Sequence, residues 1–474
     1  MSTTAGGGSP ALHLLAATEL VAGYRERRFS PVEVTRACLA AIAARNGALN
    51  AFLVVLEESA LAEARAAEAR WQAGMPQGPL DGVPVTVKDL CATIGAPARH
   101  GSRTTSAAPG SVDAPCVARL REAGAVFLGK TAMCEFGWKG VTDSPLLGVS
   151  RNPWNAERSC GGSSGGAAIA AATGMGALHV GSDGAGSIRI PAAFCGVYGF
   201  KATFGRVPAW PPGRMALGHY GPLTRTVADA ALMLDTITRP DARDWTALPY
   251  AAGTRYDAGL DAGVRGLRIA WCPTLCGAHA EPEVLRIAID AVQAFADLGA
   301  HVEEVASPLA SPRAPFDTLW AASMAQILRK IPAREHDLLD PGFRQVAESG
   351  LALSADSLLA AMGMRHVDGA AMNAFHERYD LLVTPQMPTT AIAAGVDVPP
   401  GSGMDSWLDW SPYTYPFNWT QQPAASLPCG VASDGLPVAL QIAGARYAEA
   451  LVLRASHAFE AVRPFALPEP VGAG

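Results

Sequence analysis

Two serines and one lysine stand where this sequence could support chemistry on a carbonyl group. Ser163 lies in the glycine-rich stretch 159–167 (SCGGSSGGA), Ser187 lies in a second such stretch at 181–191 (GSDGAGSIRIP), and Lys88 ends an apolar run. A serine hydroxyl attacks a carbonyl carbon only when a base removes its proton, and a neutral lysine can be that base. Burial favours the neutral form of lysine, whose unperturbed pKa is about 10.4. A buried Lys88 would therefore be able to activate a serine.

The stretch around Ser163 also fits the pattern Gly-x-Ser-x-Gly, which in some hydrolases places a nucleophile on a turn between a strand and a helix. The preceding residues 150–158 (SRNPWNAER) are polar and contain a proline, so they predict a loop where that pattern needs a buried strand. The best late histidine, His457, lies in a segment of helical character. No Lys-Ser or Lys-Thr follows the glycines, as a phosphate-binding loop would require. Neither a serine–histidine–aspartate triad nor a phosphate site is expected.

Small residues precede Ser187 in the second stretch. Gly184, Ala185 and Gly186 leave room for several backbone N–H groups to converge on one point. Such a point stabilises the negative charge that forms on a carbonyl oxygen during nucleophilic attack. The sequence therefore predicts an oxyanion hole at 184–186, with Ser187 beside it as the attacking group.

Strands and helices must hold these segments in place. The run 82–89 (GVPVTVKD) predicts a buried strand that carries Lys88 to its end, and residues 177–181 predict a strand before the Ser187 segment. A helix is expected after Ser163, through Ala172. Further helices are predicted from Ser30, at 57–71, 114–123, 226–235 and 284–298, and further strands at 125–129, 267–271 and 301–305. This alternation predicts an α/β fold with a largely covered, partly parallel sheet.

Composition narrows the classes of function. The chain has 474 residues, of which 49% are hydrophobic and 17% charged, and its net charge is −6. No dense Lys/Arg run is present, so neither nucleic acid nor an anionic membrane is an expected partner. The nine cysteines and ten histidines form neither a C-x-x-C nor an H-E-x-x-H motif, and we expect no metal site. Without a secretory signal or a lipid-spanning segment, a cytoplasmic location with reduced cysteines is expected.

Lys88 in GVPVTVKD, the loop GGSSGG at 161–166 and Ser187 in GSDGAGSIR resemble the signature of the amidase signature family. The separations also match: Ser163 follows Lys88 by 75 positions, and Ser187 follows Ser163 by 24. Similar segments at 130–138, 199–203, 379–385 and 416–418 extend the resemblance over nearly the whole chain, from about 10 to about 465. The resemblance implies a large, mixed, mostly parallel twisted sheet covered by helices on both faces.

The resemblance also implies roles for these residues. Ser187 would be the nucleophile, and Ser163, after a cis peptide bond, would pass protons between Ser187 and neutral Lys88. The N–H groups of residues 184–187 would form the oxyanion hole, and Gly137 and Trp138 would contact the substrate. The implied enzyme is an amidohydrolase that acts through an acyl-enzyme and uses neither a metal nor a cofactor. A homodimer is compatible with the resemblance.

Ala185 departs from the glycine that is usual at this position in the family. Alanine is disfavoured where the backbone needs a positive φ. Either the loop has a geometry that alanine accepts, or it holds about 1 kcal/mol of strain.

For the chain as a whole, we expect a disordered tail at 1–10 and a single domain at 11–474, in which 310–420 forms a cap over the substrate pocket. The expected substrate is a small molecule, an aryl or otherwise bulky amide. Carbamates (a urethanase-like activity) and esters are expected as further substrates. One alternative is the glutamine-hydrolysing component of an amidotransferase, which needs a partner chain. A non-catalytic binding protein is a second alternative, and the presence of all three catalytic residues argues against it.

Overall fold

The computed structural model describes residues 11–212 and 214–468, so the tail predicted at 1–10 lies outside the described residues. The strands are β1 (Phe52–Val55), β2 (Pro84–Lys88), β3 (Val126–Thr131), β4 (Asp143–Ser144), β5 (Gly148–Val149), β6 (Leu178–Asp183), β7 (Tyr198–Lys201), β8 (His219–Thr224), β9 (Arg268–Trp271), β10 (His301–Glu304), β11 (Leu381–Pro385), β12 (Ala424–Val431) and β13 (Pro437–Gly444).

The α-helices are α1 (Ala17–Arg25), α2 (Pro31–Leu49), α3 (Glu57–Gln72), α4 (Pro115–Glu122), α5 (Gly165–Thr173), α6 (Arg189–Cys195), α7 (Val227–Ile237), α8 (Pro282–Asp297), α9 (Arg313–Leu328), α10 (Pro341–Leu351), α11 (Ala355–Arg378), α12 (Pro416–Trp419) and α13 (Glu449–Val462). Short 3-10 turns lie at Leu12–Leu14, Glu135–Gly137, Arg214–Ala216, Leu260–Ala262, Leu275–Gly277 and Ala333–Leu338. The helices and strands predicted from the sequence are all present, with ends that differ by a few residues.

Eleven strands form one sheet in the order β1-β3-β2-β6-β8-β7-β12-β13-β11-β9-β10, and β4 pairs with β5 separately. The predicted large mixed sheet is confirmed, but the expectation that it is mostly parallel is wrong. Within the described residues, six of the ten strand pairs in this sheet are antiparallel. One reason is local: a short turn joins β12 to β13, and strands joined in this way must run in opposite directions.

Local sequence explains why the flanking helices begin where they do. The Ser30 hydroxyl accepts a hydrogen bond from Glu33 N (3.3 Å), and Glu33 Oε2 accepts one from Ser30 N (2.7 Å). This reciprocal pair is the predicted capping box, and Pro31 occupies the first helical position, where its missing N–H costs nothing. Thr226 caps α7 through a hydrogen bond that its side chain accepts from Asp229 N.

The region 310–420, predicted to form a cap over the pocket, contains both helices and a strand. Helix α9 packs against both α10 and α11. However, β11 lies inside the sheet between β13 and β9, and all five of its residues are buried. Its apolar run, LLVTP, is suited to a strand covered on both faces. The region therefore supplies both a group of packed helices and a central strand, and its role as a cap stays a prediction.

No helix of the described residues is both long and apolar enough to cross a membrane.

Candidate active site

Lys88 is completely buried at the C-terminal end of β2, where the serine loops meet. Its Nζ lies 2.7 Å from Ser163 Oγ, 2.8 Å from Ser164 Oγ and 2.9 Å from Ser182 Oγ. The strand, the Ser163 loop and the end of β6 thus bring together a lysine and three hydroxyl groups. Sequence reasoning missed Ser182, because nothing in its own segment indicates a contact with Lys88.

Burial lowers the pKa of Lys88 to about 8. Removal of the amine from water disfavours its charged form. The Ser164 hydroxyl donates to Ser182 O (3.1 Å), so its oxygen accepts from Lys88. A neutral Lys88 therefore has a lone pair left for the Ser163 hydroxyl, which makes it a base for that proton.

Ser163 is held in a tightly packed loop. The Gly162–Ser163 peptide bond is cis, as the resemblance implies. A Cβ atom on Gly162 would lie 2.4 Å from the backbone of Val141, so only glycine fits there. Gly137 also lies close to the site, because a Cβ on it would be 3.3 Å from Ser163 Oγ.

Ser187 lies between β6 and α6 and faces the same cavity as Ser163. Ser164 N donates to Ser187 O (3.1 Å), which ties the two serine loops together through their backbones. Among the hydrogen bonds of the described residues, none joins Ser163 Oγ to Ser187 Oγ. Catalytic hydrogen bonds are often longer in an empty site and shorten when substrate binds.

The predicted oxyanion hole needs one correction, at Gly186. Its N–H donates to Asp183 Oδ1 (2.7 Å), so it is already engaged. In the described part of the chain, the N–H groups of Gly184, Ala185 and Ser187 have no acceptor within the protein. These three groups remain available to a substrate oxygen.

The structure shows how Ala185 is accommodated. Its φ is not among the positive values in the described chain, whereas that of the next residue, Gly186, is +124°. The conformation that requires glycine is thus adopted by Gly186 and not by Ala185. Ala185 is fully buried, and its carbonyl accepts a hydrogen bond from Thr414 Oγ1 (2.6 Å).

A buried ion pair holds the loop that carries Ser187. Arg189 donates to both oxygens of Asp183 (2.9 and 3.0 Å), to Asn418 Oδ1 (2.7 Å), to Thr414 O (2.8 Å) and to Gln441 Oε1 (2.6 Å). Burial alone would raise the pKa of Asp183, but the Arg189 guanidinium outweighs it and holds that pKa below its usual value. Asp183 is therefore a charged anchor for the loop.

The cavity in front of the two serines has a volume of about 420 Å³. Apolar side chains form much of its wall: Leu90, Phe136, Trp320, Met324, Ile327 and Ile331. Four of these six come from α9 and the residues just after it, so part of the 310–420 region does line the pocket. Sequence patterns did not identify them individually, because α9 carries no motif and meets the serines only through the fold.

Gly137 and Trp138, both expected to contact substrate, occupy different places. Gly137 lines the cavity, whereas Trp138 does not. The Trp138 ring packs against Gly342, and its carbonyl accepts a hydrogen bond from Trp320 Nε1 (3.1 Å). Phe136 and Gly137 both have positive φ values, so the chain turns sharply and directs the Trp138 ring away from the cavity. Trp138 supports a wall residue and is not itself part of the wall.

Comparison with known proteins agrees with the fold. A family model described as Amidase matches residues 33–453. The chain is 38% identical over 475 residues to an acylamidase of Rhodococcus erythropolis, covering 97% of this chain and 98% of that protein. It is 37% identical over 475 residues to a glutamyl-tRNA(Gln) amidotransferase component of Moorella thermoacetica, covering 95% of this chain and 96% of that protein.

A crystal structure of a bacterial aryl acylamidase of the amidase signature enzymes family has a TM-score of 0.89 to this structure. The two are 31% identical, and the match covers 96% of this chain and 97% of that one. The chain therefore belongs to the amidase signature family. It is an amidase, a hydrolase of carbon–nitrogen bonds.

Proposed function

We propose that this amidase cleaves bulky or aryl carboxamides through an acyl-enzyme on Ser187. The observation that carries the proposal is the 2.7 Å contact between buried Lys88 Nζ and Ser163 Oγ, in the cavity that Ser187 also lines. A buried amine with a pKa of about 8 is a base at neutral to mildly alkaline pH.

In the proposed mechanism, Ser187 Oγ forms a bond to the carbonyl carbon of the amide. Its proton moves to Ser163 Oγ while the Ser163 proton moves to Lys88 Nζ. The carbonyl oxygen becomes an oxyanion, stabilised by the N–H groups of Gly184, Ala185 and Ser187. As the C–N bond breaks, the leaving nitrogen takes the proton back through Ser163. Water then attacks the acyl-enzyme by the same relay and releases the acid and Ser187.

The cavity wall supports a bulky or aromatic substrate. Phe136 and Trp320 offer aromatic faces, and Ile327 adds an aliphatic one. Aromatic faces favour an aryl group through stacked or edge-to-face contacts. Aryl carbamates and esters present the same carbonyl to Ser187, so we include both among the proposed substrates.

The test is hydrolysis of a p-nitroanilide and of an aryl carbamate of the same aniline, with the native chain, Ser187→Ala and the control Ser349→Ala. Ser349 is exposed on α10 and does not line the cavity. We expect the native chain and the control to release the aniline, and Ser187→Ala to lose at least about 10³-fold in rate. A Ser187→Ala variant with native turnover would rule out the proposed nucleophile.

The similarity to glutamyl-tRNA(Gln) amidotransferase components supports a second candidate, the hydrolysis of glutamine for a partner chain. Release of ammonia from glutamine separates the two candidates. The aryl amidase proposal expects glutamine to be a poor substrate compared with the anilide. A kcat/KM for glutamine above that for the anilide would favour the second candidate.

A further inference from the structure

A second cleft lies beside the active-site cavity and is separate from it. Its volume is about 600 Å³, and Met215 and Ala216 form part of its wall. The residues that follow directly, 217–219, line the active-site cavity instead. Two arginines, Arg365 of α11 and Arg446 after β13, face this cleft, and no Asp or Glu of the described residues lines it.

Arg365 donates hydrogen bonds to the backbone that lines the cleft. Its Nε donates to Trp419 O (2.7 Å), its Nη1 to Met215 O (2.8 Å) and its Nη2 to Ala216 O (2.7 Å). All of these acceptors are neutral carbonyl groups. Among the ion pairs of the described residues, none includes Arg365.

Arg446 has even fewer partners. It makes neither a salt bridge nor a hydrogen bond within the described chain, and its Nε is buried without an acceptor. Its guanidinium carbon lies 4.9 Å from the centroid of the Tyr447 ring. Burial and the nearby charge of Arg446 lower the pKa of Arg365 to about 10. Both cations line this cleft, and neither forms an ion pair within the described residues.

We propose that this cleft binds an organic anion, namely a carboxylate or phosphate group attached to an apolar body. The planar guanidinium group matches the oxygens of a carboxylate or phosphate through paired hydrogen bonds, and Arg446 has these donors free. Met215, Met362 and Ala370, which keep exposed surface, give the same cleft an apolar side for the body of the ligand. Bound there, the anion lies next to the segment at 215–216, which leads into the wall of the active site.

The test is isothermal titration of benzoate, phenyl phosphate and inorganic phosphate into the full chain at constant ionic strength. Three variants are compared with the native chain: Arg446→Gln, Arg446→Lys and the control Arg454→Gln. Arg454 is half-buried on α13, has an unpartnered Nε and no ion pair, and lies outside the cleft. Binding needs no turnover, so this test is independent of the proposed amidase mechanism.

We expect benzoate or phenyl phosphate to bind the native chain with a stoichiometry of one, and Arg446→Gln to raise that Kd at least about tenfold. Arg446→Lys keeps the positive charge but loses the paired N–H donors of the planar guanidinium group, and we expect a smaller increase in Kd than for Arg446→Gln. Arg454→Gln should leave the Kd unchanged. The difference between benzoate and phenyl phosphate identifies the preferred anionic group.

Three results would overturn the proposal. The first is that neither organic anion binds the native chain. The second is that Arg446→Gln binds as tightly as the native chain, which would place the anion elsewhere, for example in the active-site cavity. The third is that inorganic phosphate binds as tightly as phenyl phosphate and benzoate does not bind, because the apolar side of the cleft would then contribute nothing. If Arg446→Gln fails to fold, Arg446→Lys decides between these results.

Discussion

At the residue scale, the proposed mechanism depends on keeping one lysine neutral without removing it from its hydrogen-bond partners. Lys88 is fully buried, yet its Nζ lies within 2.9 Å of three hydroxyl oxygens, which replace the hydrogen bonds that water would supply. An ordinary lysine, with a pKa of about 10.4, would be almost entirely protonated at neutral pH. Burial brings the pKa of Lys88 to about 8, which leaves a usable fraction of neutral amine.

The first prediction concerns pH. Because the pKa of Lys88 is lowered, the neutral base is present above about pH 8 and is lost as the pH falls below it. We expect kcat/KM for the anilide to fall about tenfold per unit below that value and to level off above it. The measurement is a kcat/KM profile from about pH 6 to about pH 10. A profile without an inflection near 8 would contradict this role of Lys88.

The second prediction is that Lys88→Ala abolishes the relay. We expect a loss of at least about 10³-fold in kcat, with the fold retained. Circular dichroism and the thermal midpoint check the fold, and anilide hydrolysis checks the rate. Near-native turnover by this variant would rule out the lysine-based mechanism.

The third prediction concerns Gly137, which has a φ of +71° and lies against Ser163. In Gly137→Ala, the new Cβ would be 3.3 Å from Ser163 Oγ and in a backbone conformation that alanine disfavours. We expect a loss of stability of about 1 kcal/mol and a fall in kcat of about tenfold, because the relay serine is displaced. Urea unfolding and anilide kinetics measure the two effects.

Gly363→Ala is the matched control for this change. Gly363 lies in the exposed helix α11, and a Cβ there meets no atom within 4 Å. Alanine favours a helix by up to about 1 kcal/mol over glycine, so we expect equal or higher stability and unchanged kinetics. Equal behaviour of the two variants would show that the contact with Ser163 is unimportant.

At the scale of elements, a buried lysine joins α10 and the loop after β11 to the turn beside the candidate active site. Lys139 Nζ lies 2.5 Å from Asp143, 2.7 Å from Asp397 and 3.0 Å from Asp340. Burial alone would lower the pKa of Lys139, but the three carboxylates raise it above its usual value. Asp340 also caps α10 by accepting from Gly342 N. The cluster thus joins the 134–140 turn, α10 and the loop after β11.

The fourth prediction tests the contribution of the Lys139 ion pairs with the substitution Lys139→Met. The three carboxylates would face one another without a cation, and we expect a loss of about 3 kcal/mol in the free energy of unfolding. Because α10 holds Phe343 against Phe136 of the cavity wall (5.0 Å between ring centroids), KM should rise more than kcat falls. Urea unfolding and steady-state kinetics with the anilide check both parts.

Arg334→Met is the comparison, since Arg334 is 81% exposed and pairs only with its neighbour Glu335. We expect this variant to lie within about 0.5 kcal/mol of the native chain and to keep its kinetics. A Lys139→Met variant as stable as Arg334→Met would show that the Lys139 cluster does not stabilise the contact between α10 and the 134–140 turn.

The elements also show how far the sequence predicts this structure. The strand β2 and the capped helix α2 follow from local signals: a β-branched run bounded by Gly82 and by Lys88-Asp89, and a Ser-Pro-x-Glu start. The Ser163 and Ser187 segments are recognisable because their chemistry needs small residues at fixed spacing. Trp320 is not recognisable, because its place in the cavity wall depends on how α9 packs on the sheet.

Two errors at the site have the same origin in backbone geometry. The family resemblance places Trp138 in the pocket together with Gly137, but side-chain direction at a sharp turn depends on φ values that the sequence does not display. The sequence also predicts that Gly186 offers its N–H to the substrate, but Asp183 folds back and accepts it. In both cases the residue types indicate the right chemistry and do not reveal the direction of the groups.

At the scale of the whole molecule, Arg189 connects parts of the chain that are far apart in sequence. It joins Asp183, at the end of β6, to Thr414, to Asn418 of α12 and to Gln441 of β13, across 225 to 252 residues. The loop that carries Ser187 is therefore held from strands and helices of both halves of the sequence.

The fifth prediction is that Arg189→Lys weakens the whole fold as well as the site. Lysine lacks the planar fork, so several buried acceptors would lose their donors, and we expect a loss of about 3 kcal/mol or more in stability. Arg268→Lys is the control, because Arg268 forms a surface pair with Asp380 (side chains 49% and 28% exposed). That change should cost less than about 1 kcal/mol. Equal urea midpoints for the two variants would contradict the role of Arg189.

The central claim is that Ser187 forms the covalent intermediate, and trapping that intermediate tests it most directly. An activated aryl ester is mixed with the native chain, the reaction is quenched within the first turnover, and the acylated peptide is mapped by mass spectrometry. We expect one acyl group per chain, located on Ser187, and none in Ser187→Ala. An acyl group on Ser163, or turnover without any covalent adduct, would contradict the proposed mechanism.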